Sequence, residues 1–151
     1  MDFMTNFEEA EKKDKLKGKV MRYVMYKKRT EQEVWTKFSS EDQDLLEDII
    51  EDLKELKYID DFSYIERTVD ESLKLKNLSI KELTYKLCQK GISKNIVEEY
   101  ISQNEEMLLD YEIKSAKKLW NKKIKESDEQ SIKEYLYRKG YTQETVNQIF
   151  E

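Results

Sequence analysis

The stretch SIKELTYKLCQKGISKNIVEEYI, Ser79–Ile101, decides the fold. Ser79 and Glu82 stand at capping-box spacing, in which the serine side chain caps backbone N–H groups and the glutamate reaches back. Leu83 and Leu87 recur four apart on one helical face. Gly91 falls where a helix end takes a residue that tolerates positive φ. Lys90, in the turn before it, complements the negative end of the helix dipole. Ser93 then caps a second helix with Ile96, Val97, Tyr100 and Ile101 as its apolar positions. The stretch reads as two short amphipathic helices joined by a glycine turn.

The pattern recurs at a shift of 49 residues. Asp128 falls on Ser79, Ile132 on Leu83, Leu136 on Leu87, and Lys139–Gly140 on Lys90–Gly91. Tyr141, Thr142, Val146 and Phe150 fall on Ile92, Ser93, Val97 and Ile101. In the other direction Thr30, Glu33, Val34, Lys37 and Phe38 fall on Ser79, Glu82, Leu83, Lys86 and Leu87. A period of this size is the mark of a repeat architecture.

Composition agrees. Hydrophobic residues make up 38% and charged residues 40% of 151, with no proline and three glycines. Such a chain suits long charged helices and lacks the turn chemistry of an all-β fold. Ten tyrosines, two tryptophans and regular apolar spacing argue against disorder. The lone Cys88 cannot form an internal disulfide, and the N-terminus has no secretory pattern, so a reducing, cytoplasmic setting is expected. No apolar run approaches the roughly 20 residues of a membrane span.

Taken in order, residues 1–10 carry Phe3, Met4 and Phe7 without a clear register and read as a lead-in. A basic helix is expected from near Glu11 to about Lys28, with Leu16, Val20, Tyr23 and Val24 facing inward and Gly18 as a weak point. Thr30 and Glu33 open a short helix, which Ser39–Ser40 interrupt. A third helix, from about Asp42 to Leu56, turns Leu45, Leu46, Ile49, Ile50, Leu53 and Leu56 inward. Asp61 is expected to cap a fourth helix running to about Lys76, with Tyr64, Ile65, Val69 and Leu73 buried. The last third begins near Asn104 and carries Met107, Leu108, Tyr111, Ile113, Ala116, Leu119 and Trp120. The expectation is an all-α chain of nine helices: a lead-in at 1–10, then three-helix repeats at 11–60, 61–103 and 104–151.

Little in the chain points to catalysis. There is no histidine, the commonest general base and metal ligand. One cysteine excludes a thiolate zinc cluster within the chain, and no phosphate-binding glycine loop is present. The carboxylates of Glu41–Asp61 occupy the positions that an apolar stripe leaves free, the pattern of a solvated face. Cys88 follows Leu87 on a helix and reads as a small packing residue. No metal or cofactor is implied.

The formal charge of −5 argues against a generic nucleic-acid binder, but charge is segregated. Lys12–Lys37 holds ten basic residues against three acidic, whereas Glu41–Asp61 holds two against ten, so the basic helix has an acidic counterpart within its own repeat. It reads either as balanced by that counterpart or as an electropositive strip for a polyanionic partner. Tyr26, Tyr85 and Tyr137 are less committed to packing stripes than Tyr23, Tyr64, Tyr100 and Tyr111.

The segments VMRYVMYKKRTEQEVWTKF, LKELKYIDDFSYIERTVDESLKLKNLSIKELTYKLCQKGIS and IKEYLYRKGYTQETVNQIF, in this order over residues 20–150, resemble the RecX family of RecA regulators. The Leu53–Asp61 junction and the Lys90–Gly91 and Lys139–Gly140 turns carry most of the likeness. Lys57 departs from it, standing where the family usually has glycine, as do Ser39–Ser40 in place of a glycine turn. The resemblance implies three tandem three-helix repeats in an elongated, curved array. It implies a non-enzymatic protein that binds RecA and the RecA–DNA filament and inhibits ATP hydrolysis, strand exchange and coprotease activity; separately, a monomer is expected. That role lies in DNA repair, homologous recombination and the SOS response. The expected contacts are Arg22, Lys27, Lys28 and Arg29, then Lys86 and Lys90, then Lys117, Lys118, Arg138 and Lys139. A RecA-independent DNA-binding helical repeat protein is the alternative, and a helical scaffold for another protein is a third reading.

Overall fold

The computed structural model of the protein describes residues 3–75 and 77–150; the side chains of residues 3–5, and with them Phe3 and Met4, lie outside the described part, as does Lys76. The chain is all-α. Among the described residues are nine helices and no strand: α1 (Phe3–Tyr26), α2 (Glu31–Lys37), α3 (Gln43–Glu55), α4 (Asp61–Leu75), α5 (Ile80–Gln89), α6 (Lys94–Gln103), α7 (Glu105–Lys123), α8 (Glu129–Lys139) and α9 (Gln143–Gln148). Their order is consistent with tandem three-helix repeats. By contacts the chain divides into two compact units, Met1–Tyr64 with Lys90–Ile92, and Ile65–Gln89 with Ser93–Glu151.

In the first unit, α1 presents Leu16, Val20 and Val24 at spacings of four to the buried stripe Leu46, Ile49, Ile50 and Leu53 of α3. Val34, Phe38 and Ile59 complete this core. The helix α1 starts at Phe3, inside the expected lead-in, and runs through Gly18. Glu, Lys and Ala are good helix formers and nothing breaks the run. Residues 6–10 are nonetheless fully outside the core. Thr30 makes both bonds of its capping box with Glu33. Asp42 caps α3 by accepting from the N–H groups of Asp44 and Leu45.

Leu56, expected inward, is 61% exposed. It is the C-cap of α3, and the next residue, Lys57, takes a left-handed φ of +65° that turns the chain away. Tyr58 and Ile59 then donate their N–H groups to the Leu53 carbonyl, which closes the helix end. A second correction concerns Asp61. The carboxylate that caps α4 belongs to Asp60, which accepts from Ser63 N–H at 3.1 Å. Asp61 is the first helical residue, and its carboxylate accepts instead from the N–H of Glu31, at 2.9 Å.

In the second unit Leu83, Leu87, Val97, Leu108, Tyr111, Ala116, Ile132, Leu136 and Val146 are buried as their spacing predicts. Ile96 and Met107 are not, at 41% and 42% exposure. Along α4, Ile65 and Val69 are buried, Tyr64 and Leu73 half-buried, and Thr68 and Ser72 are the other buried positions. Cys88 is half-buried.

One joint occurs in each unit with the same atoms. In the first, the Thr30 hydroxyl donates to the Lys90 carbonyl at 2.6 Å; in the second, the Ser79 hydroxyl donates to the Lys139 carbonyl at 2.6 Å. Both span 60 residues. Beside each hydroxyl, the next N–H meets a carboxylate: Glu31 on Asp61, and Ile80 on Glu112 at 3.3 Å. The glycines of the two turns are needed twice over. Gly91 and Gly140 have φ of +94° and +101°, and a β-carbon on them would lie 2.3 Å from Gln32 Cβ and 2.8 Å from Lys81 Cβ. The end of α2 makes no demand for a left-handed residue: Phe38 keeps a φ of −109° and neither Ser39 nor Ser40 has a positive φ, so serines serve there. Asp128 caps α8 through Ser131 N–H but, as a carboxylate, has no hydroxyl to donate onward.

Candidate functional site

The ten cations predicted as contacts divide by what their side chains do. Arg22 on α1, Lys27 just after it, Lys86 on α5, Lys117 on α7 and Arg138 on α8 are exposed, and no ion pair or hydrogen bond engages them among the described residues. Lys90 is half-buried, and its carbonyl serves the joint with Thr30. The other four are occupied. Lys28 donates to Ser63 Oγ. Arg29 donates through Nε to the Tyr23 carbonyl at 3.3 Å and lays its guanidinium 4.0 Å from the Tyr23 ring centroid. Lys118 donates to the Leu75 carbonyl at 2.7 Å, and Lys139 pairs with Glu82 at 3.0 Å.

The basic helix α1 is partly matched within its own unit. Lys13 and Lys17 both approach Asp52 of α3, and Lys19 approaches Glu41. These pairs are largely solvated and each contributes little. Their effect is to lower the field of the α1 surface, leaving Arg22 and Lys27 as its unmatched cations among the predicted contacts.

The second unit gathers three of the predicted residues in one place. Lys86, Arg138 and Lys139 line a cleft of about 360 Å³ between α5 and α8, together with Lys81. Leu78 and Tyr85 give it apolar surface, and Glu82 is its one carboxylate among the described residues. That carboxylate is committed on both oxygens, to Ser79 N–H and to Lys139. Tyr85 is 65% exposed, and its hydroxyl is held by Gln89 Nε2 at 2.8 Å. Lys81 and Tyr85 were outside the predicted set. Their i, i+4 spacing places them on the same face of α5, a signal present in the sequence.

A larger depression, about 700 Å³, lies along the start of α7. Glu105, Glu106 and Asp110 line it with Met107, Leu109 and Ile113, and no cation does among the described residues. It holds none of the predicted contacts.

Two buried carboxylates belong to the joints. Burial pushes the Asp61 and Glu112 carboxyls above the ordinary range, against the opposing pull of the Glu31 and Ile80 N–H groups they accept. Glu112 also accepts from the Thr145 hydroxyl. Their hydrogen bonds place them in the scaffold, as links between helices.

An all-helical protein whose distinctive chemistry is a set of exposed cations is the class these features define. No family model matches the chain. Several curated proteins named regulatory protein RecX do. That of Clostridium beijerinckii is 30% identical over 151 residues, covering 95% of this chain and 70% of the relative. Those of Clostridium tetani and Finegoldia magna are 31% and 29% identical, over 89% and 85% of this chain and 65% and 67% of theirs. The chain belongs to the RecX family of regulatory proteins. The match spans between 32% and 70% of the length of such relatives. The crystal structure of RecX from Lactobacillus salivarius superposes with a TM-score of 0.77 at 27% identity, over 93% of this chain and 96% of that one. A second crystal structure titled regulatory protein RecX, 22% identical, shares the fold with a TM-score of 0.81 over 99% and 79%. No described helix is long and apolar enough to cross a membrane.

Proposed function

We propose that the chain is a non-enzymatic, cytoplasmic regulator that binds the RecA recombinase and its DNA filament as a monomer and inhibits ATP hydrolysis, strand exchange and coprotease activity. The observation that carries this reading is membership of the RecX regulatory family across 95% of the chain. The exposed cations Arg22, Lys27, Lys86, Lys117 and Arg138 support it, since unmatched surface charge raises the rate and specificity of docking on an anionic partner. Tandem three-helix repeats, at the boundaries given above, would let modest contacts on successive subunits of a filament add by multivalency.

Co-sedimentation with RecA assembled on single-stranded DNA tests the reading. The chain pellets with filaments, and reversing the five exposed cations together weakens this at least tenfold while leaving helicity intact. A chain that stays in the supernatant at every ratio refutes it.

A further inference from the structure

The cleft between α5 and α8 has a composition that the fold does not require and that electrostatic docking, which uses Lys86 and Arg138 but not Tyr85, accounts for only in part. Four cations line it, Lys81, Lys86, Arg138 and Lys139, in a chain whose net charge is −5. The Lys139 charge is answered by Glu82 at 3.0 Å. Lys81, Lys86 and Arg138 have no anionic partner among the described residues, although like charges gathered in one cleft repel. Beside them stands Tyr85, 65% exposed. An exposed aromatic side chain usually swings freely, but this one is fixed at its hydroxyl by Gln89 Nε2, one helical turn on. A pinned aromatic next to unmatched cations suits a ligand with both a flat π-face and a negative charge a few ångströms away.

We propose that this cleft is a binding site for a nucleotide unit, with the base stacked on Tyr85 and the phosphate held by Lys81, Lys86 and Arg138. An acidic peptide would engage the cations and have no use for the ring. A nucleotide engages both. The cleft volume of about 360 Å³ matches a small ligand or one unit of a strand, so the unit comes either as a free nucleoside triphosphate or within single-stranded nucleic acid. Glu82 is part of the scaffold here: its two oxygens hold Ser79 N–H and Lys139, so it keeps its charge off the incoming phosphate.

The test uses the chain alone, with fluorescent ATP and fluorescein-labelled oligo(dT) titrated in separate arms and inorganic triphosphate and poly-Glu as competitors. Lys86 and Arg138 are shared with the docking surface proposed above. Because no recombinase is present, failure here leaves filament co-sedimentation untouched. At least one labelled probe should saturate. Tyr85→Ala should weaken it about tenfold or more, the scale of one lost base stack, while Tyr85→Phe, which keeps the ring but loses the bond from Gln89, should fall between wild type and Tyr85→Ala. Lys86→Glu with Arg138→Glu should abolish it; all these side chains are exposed, so folding is not at stake. Saturation by ATP alone assigns a free nucleotide, and saturation by oligo(dT) alone or by both assigns a strand. Three results overturn the inference: neither probe binds, Tyr85→Ala binds as wild type, or triphosphate or poly-Glu competes as well as the unlabelled nucleotide.

Discussion

Alanine at Gly140 would place its β-carbon 2.8 Å from Lys81 Cβ and 3.1 Å from Ser79 Oγ, at a φ of +101°. The left-handed backbone alone costs a non-glycine residue about 1–2 kcal/mol. Relieving the contact displaces the Ser79 hydroxyl from the Lys139 carbonyl, where it sits at 2.6 Å, and a buried hydrogen bond of this kind contributes about 1 kcal/mol. Gly140→Ala should therefore cost about 2–3 kcal/mol. Urea denaturation followed by circular dichroism reads this directly; with a slope of about 2 kcal/mol/M, the midpoint falls by roughly 1–1.5 M. A double-mutant cycle with Ser79→Ala sharpens the test. Each variant alone breaks the joint, so the pair should cost about 1 kcal/mol less than the sum. A loss below about 0.5 kcal/mol, or strictly additive losses, would refute the joint as described.

Three further outcomes follow from the same geometry. Lys57→Gly should stabilise the chain by about 1 kcal/mol, because Lys57 is exposed at φ +65° and glycine removes the left-handed penalty; a neutral or lower urea midpoint contradicts this. Leu87→Asp, at a position 1% exposed, should cost at least about 4 kcal/mol by burying an unpaired charge, and an unchanged melting temperature would show the register of α5 to be wrong. For Glu112, burial holds the folded carboxyl above its ordinary 4.5, so the folded chain retains a proton that the unfolded chain has lost. Its contribution to stability is present below the unfolded value and is lost as pH rises through the folded one. Glu112→Gln keeps an acceptor for Ile80 N–H without that loss, so its urea midpoint should rise relative to wild type as pH is raised above the ordinary carboxyl value of 4.5; a constant difference contradicts the assignment.

Local signals in the sequence were enough for the helices and their caps. Thr30 with Glu33, Ser79 with Glu82, Asp42, Ser93 and Asp128 all act on backbone within three residues, so spacing exposes them. Gly91 and Gly140 were legible as turn residues, but their closeness to Gln32 and Lys81 was not, since those neighbours lie far along the chain. The same holds for Asp61. A carboxylate before a helix reads as its cap, and only the folded chain brings Glu31 N–H to it and leaves the capping to Asp60. Leu56 fits the apolar stripe of α3 by period, yet the left-handed Lys57 ends the helix before the stripe can bury it. Among the candidate contacts, charge alone could not separate Arg22 and Lys86 from Arg29 and Lys139, because the Tyr23 ring and Glu82 that occupy the latter pair are set by tertiary packing.

DNA-dependent ATP hydrolysis by the cognate RecA, with this chain titrated in, tests the regulatory account most directly. The account predicts that hydrolysis falls progressively with added chain and that reversing Arg22, Lys27, Lys86, Lys117 and Arg138 restores it. Hydrolysis that is unchanged at every ratio, with the chain folded, would contradict it.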